Sequence, residues 1–521
     1  MTTCLAALDA SAYDAAPYAS HPYAQTHPGR LAAVATLLGL APAPVETARV
    51  LEIGCAAGGN LIPFAAYFPG ATCVGIDLSG AQIAEGQARL ASLGLANVNV
   101  QQLDVRDLDQ ADGEYDYIIC HGVYSWAPHD AKAAILRAAH DNLAPNGVAH
   151  ISYNVLPGWR LRAVARDMML FHAGAIADPQ AKVAAARAVL NAMAQQSSEA
   201  SDYGRVLRSE ARALALHGDH YIAHEQLERD NDPCTVSDML CAARAAGLDY
   251  LADSDLHMTV AETFGPANAA LLRDVSGGGL DRMEQYIDFL SGRTFRNSLF
   301  VRAAQAGAIT RLIEPARLAK LYVSAALVES VDAAGRAVFT DAFGRTLTTS
   351  SDFARRALAH LSADFPRRYK SVALARAIAG KAWATTLEQA DVLDALFKMV
   401  MNGMAAVSTA PLACGRAQDA APRAHALVRA DAAAGRVWTT GPMHETAPLT
   451  IVQRALLPFC DGAHDRAGLR AALARQVAAG DIIFQRDGAA LHDPVEIAAA
   501  LDDHLSAALA GLARAGLFAA G

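Results

Sequence analysis

The chain reads as an α/β protein built on a mostly parallel sheet with helices on both faces, followed by an all-helical middle domain and a C-terminal α+β, winged-helix-like region. Three observations predict this. Apolar β-like runs alternate with helical stretches from residue 50 to about 153, the pattern that places parallel strands between helices. From 161 to about 302 the chain becomes helical and alanine-rich, with breaks at 195–202, at Asp230-Asn-Asp-Pro233 and at Gly277-Gly-Gly279. Beyond 303, short helices and small strands share the remainder. Boundaries therefore fall after 160, 302 and 415, giving a first domain with an N-terminal arm (1–160), a helical middle domain (161–302), a hairpin and winged-helix-like region (303–415) and a C-terminal helical region (416–521).

Within the first domain, 49–53 is a short buried strand, and a glycine turn then leads into a helix over 61–67. Strands follow at 73–76 and 115–120, then an amphipathic helix over 131–143 stopped by Pro145 and Gly147, and a strand over 148–153. Between 318 and 347, β-like runs flank Asp332-Ala-Ala-Gly335, a hairpin signal. Helices resume from 352 to about 404, and 417–435, rich in alanine, charge and proline, reads as a loosely packed connection. From 448 onward three helices surround a strand at 481–485.

With 521 residues and 53% hydrophobic content, each of about three domains has ample material for a core. A net charge of −9 argues against nucleic acid as the main partner. The stretch 352–381 carries seven basic residues against two acids, and Arg355, Arg356, Arg367, Arg368 and Lys370 read as solvated faces or protein-docking groups. Eight cysteines without a C-x-x-C pair suggest neither a disulfide framework nor a zinc ribbon, so the expectation is a cytoplasmic protein with reduced thiols. Neither a signal peptide nor a membrane span is expected. His220 and His224, followed by Glu225, mimic one face of a metal site, but with no third ligand at suitable spacing they read as ordinary histidines and no metal is expected.

The chemistry is concentrated in Val50-Leu-Glu-Ile-Gly-Cys-Ala-Ala-Gly-Gly-Asn60, followed by Gly75-Ile-Asp77 and Gln102-Leu-Asp-Val105. Gly54 and Gly58 allow a tight turn and a close backbone approach to a ligand. Asp77 closes the second strand nineteen residues beyond Gly58, near the distance at which an acid meets a ribose diol. Glu52, beside the turn, repels a pyrophosphate and attracts a cation. That favours S-adenosylmethionine (SAM), which carries an ammonium and a sulfonium, over a dinucleotide. The turn also lacks the spacing and middle glycine of G-x-G-x-x-G.

On these residues the stretch from Val50 to Trp159 resembles a class I SAM-dependent methyltransferase with its Rossmann-like sheet, the family's E/D-x-G-x-G-x-G being matched by Glu52, Gly54 and Gly58 with Ala56 in place of the central glycine. The resemblance implies Asp77 at the ribose with Leu78 beside it, Asp104 at the adenine edge with Val105 as neighbouring amide, and His121 and Gly122 bordering the donor. The arm from Tyr13 through Tyr18 and Tyr23 to Arg30, the phrase His121-Gly-Val-Tyr-Ser-Trp126, Ser152-Tyr-Asn-Val-Leu-Pro-Gly-Trp159, Glu284-Gln-Tyr-Ile-Asp-Phe-Leu and Arg293-Thr-Phe-Arg-Asn-Ser-Leu resemble methyltransferases that carry a methyltransferase regulatory domain. That group includes bacterial protein lysine methyltransferases acting on outer-membrane proteins, which implies a protein substrate, an envelope protein among the candidates, and an arm that folds over the donor with Tyr18 as a contact.

Methyl transfer to a lysine needs an amine that has lost its proton, held in line with the donor in a pocket that excludes water. Aromatic faces and hydroxyls guide the ammonium before deprotonation. Tyr124, Trp126 and Tyr153, with Asn154 as a positioning amide, are therefore the catalytic candidates, and Trp159 lies beside them; core packing is the competing role for each. No Asn-Pro-Pro-Tyr follows the fourth strand, which favours an aliphatic amine over a planar amide or exocyclic amine. A small-molecule methyltransferase with accessory domains and a SAM-binding regulatory protein are the alternative readings.

Overall fold

A computed structural model describes residues 20–228, 230–380, 384–486 and 488–521. Tyr13 and Tyr18 lie outside the described residues.

Seven strands form one sheet in the order β3-β2-β1-β4-β5-β7-β6. They are β1 (Arg49–Ile53), β2 (Thr72–Asp77), β3 (Val98–Gln102), β4 (Tyr115–Cys120), β5 (Leu143–Asn154), β6 (Leu248–Asp253) and β7 (Phe295–Arg302). The first five run parallel, whereas β7 is antiparallel to both β5 and β6. Alternation of side chains across the pleat sorts the core. Val50, Tyr117 and Ile119 join the apolar cluster on one face, and Leu51, Ile53, Ile118, Ile151 and Tyr153 join that on the other. Strand order reverses between β1 and β4, and in such sheets the crevice for a ligand opens outside the carboxyl ends of the strands at that point.

The helix Leu61–Tyr67 and the strands at 49–53 and 115–120 have the expected bounds. The helix expected at 131–143 is His129–Asp141, and β5 starts at Leu143 because a register shift against β4 accommodates Pro145 and Asn146, which point to solvent.

The middle region is helical over Gly158–Ala173, Pro179–Gln196, Asp202–Ala215 and Asp219–Glu225, which share an apolar cluster of their own. It is not all-helical, however, because β6 and β7 extend the main sheet. Polar residues hid β7 from an apolar reading: Arg296 is fully buried between Glu284 and Asp288, Asn297 meets His150, and Ser298 meets the Tyr153 hydroxyl. Asn297 and Ser298 are satisfied by β5, some 145 residues away, and Arg296 by the helix just before it once that helix folds back onto β7, which no strand periodicity reveals.

The expected hairpin exists, with Val328–Val331 paired to Ala337–Thr340 and Gly335 at φ 77° in the turn. Helices Asp352–Ala363, Ser371–Ala379 and Thr386–Met401 follow. The basic residues here are met by protein: Arg355 pairs with Glu329 and Asp352, Arg356 with Asp352, and Arg367 with Asp364, while Arg368 reaches inward to the Ala410 carbonyl. The stretch 417–435 is not a loose connection. It contains the helix Ala426–Ala433, with Leu427, Val428 and Asp431 buried. The strand expected at 481–485 is confined to Gln485–Arg486, paired with Ala489–Ala490.

Candidate active site

The crevice at the switch point is a cavity of about 470 Å³. Its floor is the turn after β1. There Gly54 and Gly58 take φ 75° and 72°, and a Cβ on Gly54 would sit 2.3 Å from the Val123 side chain. Ala56 also lies in the left-handed region, at φ 50°, a conformation that costs a residue with a β-carbon roughly 1–2 kcal/mol. The turn is held from β2, where the Ile76 carbonyl accepts the Gly54 and Cys55 amides and Asp77 Oδ2 accepts the Ala56 amide at 2.8 Å. Asp77 Oδ1 accepts the Ser79 amide at 2.9 Å, so two backbone donors orient this carboxylate at the cavity wall.

Glu52 is buried at the end of β1. Its Oε1 accepts from Asn60 Nδ2 at 2.8 Å, and its Oε2 has no protein partner. Burial pushes the carboxyl up to about 8, with the Asn60 hydrogen bond opposing and the Asp77 charge assisting. A cationic amine beside Oε2 would repay that desolvation. Asp104, at the tip beyond β3, accepts from Arg106 at 2.6 Å, and this bond holds its carboxyl below the usual range. Leu78 and Val105 complete this side of the wall. His121 follows β4, its ring 4.1 Å from that of Tyr23, and burial together with the neighbouring His150 lowers it to about 3. It is therefore neutral at physiological pH.

The four catalytic candidates separate. Trp126 and Asn154 line the cavity, and Asn154 is anchored by its amide on Ser125 Oγ at 2.8 Å and by its side chain donating to Asn231 at 3.0 Å. Tyr153, adjacent on β5, points to the opposite face, where it is 1% exposed and its hydroxyl bonds Ser298 Oγ at 2.9 Å. Successive strand residues face opposite sides, so 153 and 154 cannot share one cavity. Tyr124 packs edge-on against Tyr153 in the same core, and Trp159 is buried beneath Arg162. Neither Tyr124 nor Tyr153 is at the cavity wall, which corrects their expected placement.

Several wall residues were not expected at this site. Arg162, Tyr221 and Glu228 of the helical region went unnoticed in the sequence, while His224 and Glu225 were noticed only for their spacing and Asn60 only as the end of the glycine turn. Arg162 donates to the Tyr221 hydroxyl at 3.0 Å, and burial pushes Glu225 up to about 7 against the opposing charge of Arg162. His220, His224 and Glu225 were visible as a pattern that mimics one face of a metal site and read as ordinary histidines. In the structure His220 and His224 meet edge-on at 4.6 Å, and among the described residues no group of three or more His, Cys, Asp or Glu is placed to hold a metal ion. Tyr23 was expected in the arm, and its amide donates to Asn60 Oδ1 at 3.0 Å.

A buried acid with one oxygen unpartnered, a carboxylate aligned at the end of the second strand and a third acid beyond β3 suit a ligand that carries an amine, a sugar diol and a base. Comparison with known proteins agrees. Residues 50–147 match the family described as "Methyltransferase domain" and residues 218–302 that described as "Predicted methyltransferase regulatory domain". An uncharacterized protein of Rickettsia prowazekii is 30% identical over 505 residues, covering 94% of this chain and 90% of its own. The chain belongs to the class I SAM-dependent methyltransferases with a methyltransferase regulatory domain.

This methyltransferase is also similar to PKMT2 from Rickettsia typhi in complex with AdoHcy, with a TM-score of 0.86 and 25% identity over 96% of this chain and 100% of that one. SAM is its cofactor. Its residues 421–517 match the family described as "PKMT, C-terminal winged helix domain". The winged helix therefore occupies the part expected to be helical, and its small strands Trp438–Thr440 and Thr446–Pro448 form a hairpin. No helix among the described residues is long and apolar enough to cross a membrane.

Proposed function

We propose that this methyltransferase modifies a lysine amine of a protein substrate, and that Glu52, Gly54, Gly58, Asp77, Leu78, Asp104, Val105 and His121 hold the donor. The observation that carries the acceptor reading is the wall contributed by the helical region: Tyr221, Glu225 and Glu228 face the same cavity as Trp126 and Asn154. Carboxylates and aromatic faces attract a primary ammonium as it sheds water. A lysine arrives protonated, with a solution pKa near 10.4, and must lose that proton to become a nucleophile. Glu225, held at about 7, is the group that accepts it. Asn154, fixed by Ser125 and Asn231, orients the amine, and Trp126 excludes water from it.

On the donor side, Glu52 Oε2 takes the ammonium of the methionyl part, Asp77 the ribose diol, and Asp104 with the Val105 amide the adenine edge. Bound SAM supplies an electrophilic methyl group on a sulfonium. A neutral His121 beside it adds no like charge. Tyr124 and Tyr153 support the strand ends from behind.

A protein acceptor is favoured by the match of the C-terminal domain to the PKMT family and by the likeness to a PKMT2 over nearly the whole chain. An envelope protein modified in the cytoplasm is the target class we favour. Incubation with methyl-tritiated SAM and a cell-envelope protein extract tests the reading: label is expected in acid-precipitable protein, on lysine by mass spectrometry. Label found only in small molecules would overturn it.

A further inference from the structure

The hairpin of the C-terminal winged helix, some 380 residues from the glycine turn, reaches the donor site. The Nε2 of His444 at the hairpin tip lies 2.7 Å from Asn60 Oδ1, at a sequence separation of 384. Asn60 Nδ2 in turn donates to Glu52 Oε1 at 2.8 Å. The direction of each bond follows from the partners. The Tyr23 amide can only donate, so the oxygen of Asn60 must face it, which leaves the amide nitrogen toward Glu52. His444 must then donate from Nε2. Burial holds this imidazole neutral, at about 3, so it has one proton to give, and its Nδ1 is buried without a partner.

Two further features set His444 apart. It is one of two residues other than glycine with a positive φ among those described, at 63°, a backbone conformation glycine adopts without strain. It is also 2% exposed, packed edge-on against His27. The hairpin is clamped beside it, with the Tyr67 hydroxyl donating to the Thr440 carbonyl at 2.7 Å and His21 packing on Trp438.

We propose that the C-terminal winged helix sets the donor affinity of the methyltransferase domain through His444, a positioning residue whose Nε2–H fixes Asn60 and, through Asn60, the Glu52 carboxyl at the donor's amine. Without that donor the Asn60 oxygen keeps the Tyr23 amide at 3.0 Å and the Thr26 hydroxyl at 3.1 Å but loses its shortest bond, so the carboxamide and the Glu52 oxygen it holds are less tightly fixed. The winged helix is thereby part of the donor site and not only a platform for a partner. The inference rests on the reading of Glu52 as a donor contact.

The test compares two full-length variants of similar volume that keep a β-carbon at the strained position: His444→Gln, which retains an N–H near the place of Nε2, and His444→Met, which does not. Calorimetry with AdoHcy is expected to show a loss of about tenfold or more for His444→Met and retention within about threefold for His444→Gln. Tyr67→Phe, which removes a bond across the same seam away from Glu52, is expected to leave affinity within about twofold. Equal affinities for the two His444 variants, whether both high or both low, would overturn the proposal, as would a Tyr67→Phe loss matching that of His444→Met. Wild-type affinity in Glu52→Gln would instead sink the reading of Glu52 as a donor contact, a distinct failure.

Discussion

Arg89 and Asp431 form a buried ion pair, 3.0 Å between Nη2 and Oδ1, across 342 residues of sequence. Arg89 projects from the helix Gly80–Leu93 behind the donor-binding strands, and Asp431 from the helix Ala426–Ala433 of the C-terminal domain. Asp431 also accepts from Thr439 Oγ1 at 2.8 Å, which ties the pair to the strand leading to the His444 hairpin. Two charges taken out of water this way add little net stability, but breaking the pair strands one of them.

Asp431→Leu is therefore expected to destabilise the protein by about 3–5 kcal/mol, because it leaves the Arg89 charge uncompensated. The double variant Arg89→Met with Asp431→Leu should recover the part of that loss due to the stranded Arg89 charge, the Thr439 hydroxyl and Arg436 still lacking their partner. Chemical denaturation checks both, and a single-variant cost below about 1 kcal/mol would contradict the account.

Glu52 predicts a pH dependence. Its folded value, about 8, lies above its ordinary 4.5, so the folded state holds a proton that the unfolded chain releases. Its contribution to stability is present below pH 4.5 and is lost as pH rises through about 8. If Glu52 meets the ligand's ammonium as proposed, AdoHcy binding should strengthen over the same rise, as the carboxylate forms. Titrating stability and AdoHcy affinity between pH 6 and about 8.5 in wild type and Glu52→Gln checks this. Identical slopes in the two proteins would show that another group is responsible, Glu225 being the first to examine.

Glu225→Gln is expected to lower kcat by about 10²-fold or more at neutral pH while AdoHcy affinity stays within a few-fold. Single-turnover rates on the labelled protein acceptor, beside calorimetry with AdoHcy, separate the two effects. Unchanged kcat would remove Glu225 from proton acceptance.

Tyr153→Phe and Asn154→Ala are adjacent substitutions with different consequences for methyl transfer. The first deletes a core hydrogen bond to Ser298 and should cost about 1 kcal/mol of stability with methyl transfer retained. The second also removes a buried hydrogen bond, to Asn231, and should cost about 1 kcal/mol as well, but it should reduce methyl transfer about tenfold or more. Thermal unfolding and transfer assays on both variants read the difference, and a large activity loss in Tyr153→Phe would return that tyrosine to the catalytic site.

Local pattern was sufficient for the fold around the glycine turn. The strand at 49–53, the turn through Gly54 and Gly58 and the acids at Glu52, Asp77 and Asp104 sit in one contiguous unit, and backbone geometry ties each to its neighbours. Glycine conformations, buried apolar runs and strand-ending carboxylates are short-range features, so a linear reading recovers them. Pairings between distant segments left no such trace. Asn297 of β7 is buried against His150 of β5, 147 residues away, and Glu225 reaches the cavity because a helical cluster leans over the strand ends. His444 meets Asn60 for the same kind of reason: desolvation is tolerable only where a partner waits, and which partner waits depends on how remote pieces of chain pack together.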